Sequence, residues 1–586
     1  MNLNLILVLF VFIAVIGLNS VSAIEDTNLD LNETSDISNN LLISSIDSED
    51  SEDSSNSSDV LISNLDSYID NGGSNGPNIK EKSNVIHNVT EENYIKYFDS
   101  NGNLNKSLVS INDTICLSGN FTNKSFILSI PVILTSFNKD ANLFDCSIKI
   151  LNSNYDDLTT VSRLNIANNV VNRSLIYVIN SINVNIFDNV LYSSGYHSYP
   201  VAVDYSNYTR IYNNIIKTIV PSDLSINNLS SDNSSWQHSG ITFRGSNYNS
   251  ILSNDITIEN SYGIYLCYPH SNYNNISNNT IRSSISSPSF WAYGMYFTGE
   301  NNSISYNTII GMYRGISVTS GYNKIIGNSI YNLTGMDLQN PDLKGGDYGI
   351  YGSKNALIVN NSIYSSELFR AGIFAGVNST ISGNYIEITT NASGIKVGDE
   401  EEGSNSKIYD NTIVFCSGSG ILISGSPSNV SISNNSIYSV SEIGADYGSG
   451  SGVGILVQYQ SRSKRPYNLT IVSNKIHTSY AYAINISQAS VDLWICDDND
   501  IGDKAIIYPQ KEEYTPIPGK GNTYTVNKNN FNNFFDSNGD LSSIVKDGDT
   551  LIFEGKISPK SHKLNIDRSI KIIGKTYISN HLIKNI

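Results

Sequence analysis

The chain holds 586 residues with a formal net charge of −18 and five cysteines. The acidity excludes a nucleic-acid partner, whose phosphates it would repel. The cysteines (Cys116, Cys146, Cys267, Cys416, Cys496) lie too far apart to be a disulfide framework and read as small apolar core fillers.

At the N-terminus, Leu5 to Leu18 is an apolar run of signal-peptide length, followed by the small-residue stretch Val21-Ser22-Ala23. Residues 1–23 are therefore predicted to be a signal peptide cleaved after Ala23, placing the chain outside the cell. The run is too short for a membrane span, and no second apolar stretch near ~20 residues follows, so no transmembrane anchor is predicted after cleavage. Residues 24–84 carry fourteen Asp or Glu against Lys80 and Lys82, a charge of −12 that leaves −6 for everything else. Such an acidic Ser- and Asn-rich tail cannot bury enough apolar surface to offset its ordering entropy, and it reads as a disordered, solvated spacer.

Residues 85–159 are predicted to be an N-terminal cap and the first coils of a repeat. Tyr94, Tyr97 and Phe98 form an aromatic stripe that suits a short amphipathic helix closing an open strand edge. The repeat itself occupies residues 160–510. One hexapeptide, apolar-x-x-Asn-x-apolar, recurs twelve times, centred on Asn169, Asn189, Asn214, Asn254, Asn279, Asn307, Asn328, Asn361, Asn384, Asn411, Asn435 and Asn474, with a distorted copy at Asn499. A second element keeps step with it: Gly263-Ile-Tyr, Gly294-Met-Tyr, Gly315-Ile-Ser, Gly349-Ile-Tyr, Gly372-Ile-Phe, Gly394-Ile-Lys, Gly420-Ile-Leu and Gly454-Ile-Leu.

Short β-branched segments with period-two apolar residues are strands, and the Asn and Gly between them mark turns made by positive φ or by side-chain bonds to the backbone. One coil cannot bury its apolar face alone, but stacked coils pair each strand with its equivalents and align the isoleucines into a core. The fold predicted is all-β, a right-handed parallel β-helix (solenoid) with an N-terminal capping module. The asparagines are expected to form a side-chain ladder, and thirteen coils about 4.8 Å apart predict a rod on the order of 60 Å long. Over residues 160 to 505 these repeats resemble the right-handed parallel β-helix repeat family, which shares the pectate-lyase-like fold; the resemblance implies that fold and leaves function open.

Residues 511–522 read as a linker. Residues 523–586 repeat the first module: Asn93-Tyr-Ile-Lys-Tyr-Phe-Asp-Ser-Asn-Gly102 realigns with Asn530-Phe-Asn-Asn-Phe-Phe-Asp-Ser-Asn-Gly539. A restarted module at this point predicts a second β-helix and hence a truncated product, the alternative being a module kept without its coils. The module followed by coils resembles adhesin-like surface proteins of methanogenic archaea, which implies an archaeal cell-surface protein. Those proteins typically carry further β-sandwich repeats or an anchor, neither of which is read here.

No catalytic residue is predicted: seven histidines show no metal-ligand spacing, and neither a Gly-x-Ser-x-Gly elbow nor a phosphate-cradling loop occurs. Asp497, Asp498, Asp500 and Asp503 are the best calcium candidates, although Gly502 is out of calcium-loop register; no other cofactor is implied. Asp399 to Glu402 reads as a solvated turn. Trp236, Trp291, Tyr293 and Tyr296 could stack on sugars, against the plainer reading that aromatics fill strand faces. Arg462, Lys464 and Arg465 form a basic loop suited to anionic wall polymers, or simply to solvent. Of twenty-two Asn-x-Ser/Thr sequons, glycosylation is predicted only on exposed loops and the tail, and Asn278, Asn360 and Asn434 adjoin the ladder, where no glycan is expected to fit. The reading is a secreted, non-enzymatic, adhesin-like surface glycoprotein, whose partners are envelope or partner-cell glycans or proteins. The alternative is a secreted polysaccharide lyase or glycosidase.

Overall fold

The computed structural model describes residues 84–586 except 153–156, 171–172, 195–198, 220–238, 287, 289–291, 335–345, 391, 399–403, 416–417, 440–451, 459–464, 479–481, 491–493, 510–520, 556–562, 569, 575–581 and 585–586. The signal-peptide and tail readings, Cys416 and the turn Asp399–Glu402 therefore lie outside the described residues. Those described belong to one compact unit, Lys82–Ile586.

Each coil visits three parallel sheets in turn. Sheet 1 has 16 strands, from Ile86–Val89 to Trp494–Asp497; sheet 2 has 14, from Asn120–Thr122 to Lys475–His477; sheet 3 has 15, from Ser125–Leu128 to Ala505–Ile507. Sixteen stacked strands at about 4.8 Å span roughly 70 Å, longer than the thirteen-coil expectation because regular pairing already begins at Ile86, opposite Thr114. The only helices among the described residues are the four-residue turns Tyr94–Tyr97 and Phe531–Phe534. The first lays Tyr94 and Phe98 against Phe126, with ring centroids 5.4 and 5.1 Å away, at the start of the core.

Alternation of side chains along each strand explains the stack. In sheet 1, Ile186, Ile211, Ile251, Ile276, Ile304 and Ile325 are consecutive register partners and all fully buried. Burying each such side chain contributes about 1.5–3 kcal/mol, set against the cost of ordering the backbone that carries it.

The turn from sheet 1 to sheet 2 holds the asparagine ladder. The residue before each rung takes positive φ, 54–56° at Asn278, Asn360 and Asp410 and 63–66° at Gly383 and Gly327, which turns the rung's side chain into the stack. The Asn361 amide donates to Asn384 Oδ1 at 3.0 Å and to the Ile325 carbonyl at 2.9 Å, while its own Oδ1 accepts from the Asn328 amide at 2.9 Å. The ladder runs from Asn189 through Asn474 and on to Asn499, which accepts from the Asn474 amide at 2.9 Å.

Asn169 departs from the expectation. Register pairs Val190 with Asn165, so Leu164, not Asn169, lies opposite Asn189. Asn169 is exposed and accepts a hydrogen bond from Ser194. Its hexapeptide begins at Ile166, an inward residue of sheet 2 rather than sheet 1, and so falls at the wrong turn.

The turn from sheet 3 to sheet 1 has its own buried ladders. Asn249 donates to Asn274 Oδ1 and Asn274 to Asn302 Oδ1, each at 3.1 Å. The backbone amides of Ser181, Ser206 and Ser246 donate to the hydroxyls of Ser206, Ser246 and Ser271.

Residues 521–586 repeat the first module in three dimensions. Thr523–Val526 pairs with Thr550–Phe553 as Ile86–Val89 pairs with Thr114–Leu117. Asp549 accepts from the amides of Asn522 and Lys546 as Asp113 accepts from those of Val85 and Ser110. Burial would raise the Asp113 carboxyl, but hydrogen bonds from His87, Ser110 and Val85 together hold it below the usual carboxylate range.

Candidate functional site

The glycines of the Gly-Ile repeat lie just before or within the strands of sheet 3, and the isoleucine or, after Gly294, methionine that follows each points inward. The next residue points out, and register aligns these outward residues into one row. Thr242, Tyr265, Tyr296, Ser317, Tyr351 and Phe374 are successive partners along the sheet, with Tyr177 and Ala202 two coils further back. Tyr351 stacks on Phe374 with ring centroids 4.8 Å apart; Phe374 is itself buried, as are Thr242 and Ser317, so Tyr265, Tyr296 and Tyr351 are the half-exposed rings of the row. Tyr262 adds to the row, 4.6 Å from Tyr265.

Two arginine–aspartate centres flank the row. In the first, Arg244 grips Asp204 with Nε to Oδ1 at 2.7 Å and a terminal nitrogen to Oδ2 at 2.6 Å, while the Tyr177 hydroxyl donates to Oδ2 at 2.8 Å. Beside it is a groove of about 370 Å³ lined by Tyr199, Thr242, Arg244, Tyr265, Cys267 and Tyr268. Burial pushes the Tyr199 phenol up to about 12 against the opposing charge of Arg244, and pushes the Cys267 thiol up to about 11. Neither group is a nucleophile near neutral pH. Burial alone would lower the Arg244 guanidinium, but its hydrogen bond to Asp204 and that carboxylate's charge raise it above its ordinary value.

In the second centre, fully buried Asp347 is held by Arg314 and by Arg370, whose Nε lies 2.7 Å from Oδ1. The Arg314 guanidinium sits 4.8 Å from the centre of the Tyr293 ring, and Arg370 lies 5.7 Å from that of Tyr348. Glycoside hydrolysis needs one carboxyl kept protonated as acid and a second free to act as base or nucleophile. Asp204 and Asp347 instead commit their oxygens to guanidinium and phenol donors. The face offers rings, hydroxyls and guanidiniums, the groups that hold a sugar chain by stacking and hydrogen bonds.

Tyr296 belongs to this row. Tyr293 is on the same strand, buried beneath Arg314. Trp236, Trp291, Arg462 and Lys464 lie outside the described residues, and Arg465 stands at the turn before Tyr467–Val472, in sheet 1. Asp497, Asp498, Asp500 and Asp503 are exposed, and among the described residues no three acidic, histidine or cysteine side chains converge as a metal site. Asp498 instead accepts from Ser473, and Asp503 pairs with Lys504 at 3.6 Å.

A family model described as right handed beta helix region matches residues 293–499. Together with the three parallel sheets, this makes the chain an all-β, right-handed parallel β-solenoid of about sixteen coils. Among solved structures, it is similar to a mannuronic acid specific polysaccharide family 6 lyase from human gut microbiota, at 14% identity and TM-score 0.37, covering 67% of this chain and 86% of that one. It is also similar to the catalytic domain of a GH87 alpha-1,3-glucanase in complex with nigerose, at 16% identity and TM-score 0.36, covering 60% and 64%. A third is the tailspike of E. coli bacteriophage HK620 in complex with pentasaccharide, at 10% identity and TM-score 0.31, covering 66% and 71%. No curated protein sequence matches the chain.

Proposed function

We propose that this chain is a secreted, non-enzymatic surface protein, adhesin-like, that binds glycans along the outer face of sheet 3. The observation that carries the reading is the row of half-exposed Tyr265, Tyr296 and Tyr351 with Arg244, Arg314 and Arg370 beside it. Rings and guanidiniums in line along a rod suit an extended sugar chain. Export rests on residues 1–23, and the adhesin reading on the capping module followed by coils.

The test is a glycan array followed by calorimetry on the full chain and on Tyr265→Ala and Tyr296→Ala. Losing a central aromatic anchor is expected to cost about 2 kcal/mol, roughly thirtyfold in affinity. The bound glycan should be recovered uncleaved, with or without calcium. Unchanged affinity in both variants would overturn the assignment of the face. Turnover that either variant abolishes would establish the lyase or glycosidase reading instead.

A further inference from the structure

Strand alternation sorts the sequons of this chain by exposure. Two residues after a buried ladder asparagine comes an inward apolar residue, so none of the rungs from Asn189 to Asn499, nor Asn249, Asn274, Asn302 or Asn323, begins an Asn-x-Ser/Thr sequence. Two residues after the positive-φ position of each turn comes an outward strand residue, which is often Ser or Thr. Positive φ suits asparagine, and it throws the side chain away from the stack.

Asn278, Asn360 and Asn434 occupy this position at the sheet 1 to sheet 2 turn, and Asn301, Asn378, Asn429 and Asn468 occupy it at the sheet 3 to sheet 1 turn, with φ between 54 and 57°. All seven are exposed and all seven begin sequons. The Asn378 and Asn429 amides donate to Asn355 and Asn405 Oδ1 at 2.6 and 2.8 Å. Substituting one amide hydrogen leaves the other for that bond. The expectation that no glycan fits at Asn278, Asn360 and Asn434 fails, because the positive-φ residue faces solvent while its neighbour faces the stack.

We infer that these seven asparagines are N-glycosylation sites, forming two lines of glycans along both edges of sheet 1. The donor is an oligosaccharide linked through phosphate to a polyprenyl lipid. The amide nitrogen forms a bond to the anomeric carbon as the carbon–oxygen bond to phosphate breaks. The phosphorylated lipid leaves with the electron pair, and the amide proton passes to the transferase's base. Sheet 3 stays bare: its eleven strands from Ile176–Ile179 to Ile455–Gln458 contain no asparagine at all. Asn123 and Asn332 are exposed sequon asparagines at positive φ in the sheet 2 to sheet 3 turn and meet the same criteria, so it is the outer face of sheet 3, with its aromatic row, rather than both of its edges that stays open.

The inference shares only the export reading with the proposed function, and its test is independent of any ligand. Protein isolated from the culture medium or envelope of its native cells is digested and its glycopeptides mapped by mass spectrometry. The seven positions should carry hexose- or hexosamine-containing masses. Asn485 and Asn207, half-buried where the seven sites are exposed, should be unmodified, and Thr280→Ala should remove the glycan at Asn278 alone. Exported protein that is bare at the seven positions, or equally occupied at Asn207 and Asn485, overturns the inference without touching glycan binding by sheet 3.

Discussion

A ladder asparagine is held on every polar atom it has, and this decides what its loss costs. Asn361 donates to Asn384, Ile325 and Val359 and accepts twice from Asn328, all within the buried turn. Asn361→Ala strands the Asn328 amide and the Ile325 carbonyl away from water, and each unpaired buried group costs about 1–3 kcal/mol. Destabilisation of about 3 kcal/mol is expected, concentrated in the coils on either side because a solenoid couples nearest neighbours. Hydrogen exchange should show Ile325–Tyr331 and Leu357–Ser365 opening sooner while Ile211–Thr218 is unchanged; uniform loss of protection along the rod would contradict a local ladder. The ladder was legible in the sequence because its residues recur in phase with isoleucine. Its lower end was not: a six-residue pattern cannot distinguish the turn after sheet 1 from the one after sheet 2, so Asn169 matched by accident while Asn499 looked distorted although its amide is in place.

Strands show the same mixture. The Gly-Ile pairs announced the strands of sheet 3, but the glycines read as turn residues, whereas close approach is what requires them. A Cβ on Gly372 would lie 2.7 Å from the Gly394 carbonyl oxygen and 2.7 Å from Ile386 Cγ2, and Gly394 meets Gly420 in the same way at 2.6 Å. Each coil can settle on the next only if this position lacks a side chain. Gly372→Ala should therefore cost about 1–3 kcal/mol by overpacking, despite alanine's better intrinsic propensity. Thermal unfolding with exchange at Ser393–Val397 checks it, and an unchanged or raised melting temperature would mean that the coils give way freely. The candidate site belongs to this scale too. Its signal lay in the third residue of each repeat, Tyr265, Tyr296, Tyr351 and Phe374, but chain separations of 23 to 55 residues with unequal inserts hide a row that only strand register aligns. Arg244 and Asp204, 40 residues apart in sequence, meet for the same reason.

Among the described residues there is one long core, a three-residue cluster of Tyr348, Ala371 and Phe374 on sheet 3, and a small core in the second module. The long core runs from Val89 to Ala489 as a continuous cluster, and the small one gathers Val526, Phe531, Phe534, Phe535, Leu541, Val545, Leu551, Phe553 and Leu564. No buried side chain is shared between them, so the coupling that makes the rod cooperative does not extend to the second module. A chain built this way should not unfold in one step. Phe535 is fully buried, and Phe535→Ala should cost about 3–5 kcal/mol, enough to unfold a module whose core is so small. Exchange at Thr550–Phe553 should then become fast while Ile176–Ile179 and Ile476 keep their protection. The matching change in the first copy, Phe98→Ala, should behave differently. Phe98 packs on Phe126 at the base of the long core, so its loss should fray the strands at Thr114–Leu117 and Ser125–Leu128 and fade along the rod. Should Phe535→Ala also loosen the rod, the two modules would be energetically one body; equal, confined effects of both substitutions would show that the first copy, despite its place at the head of sheet 1, contributes nothing to the coils stacked on it.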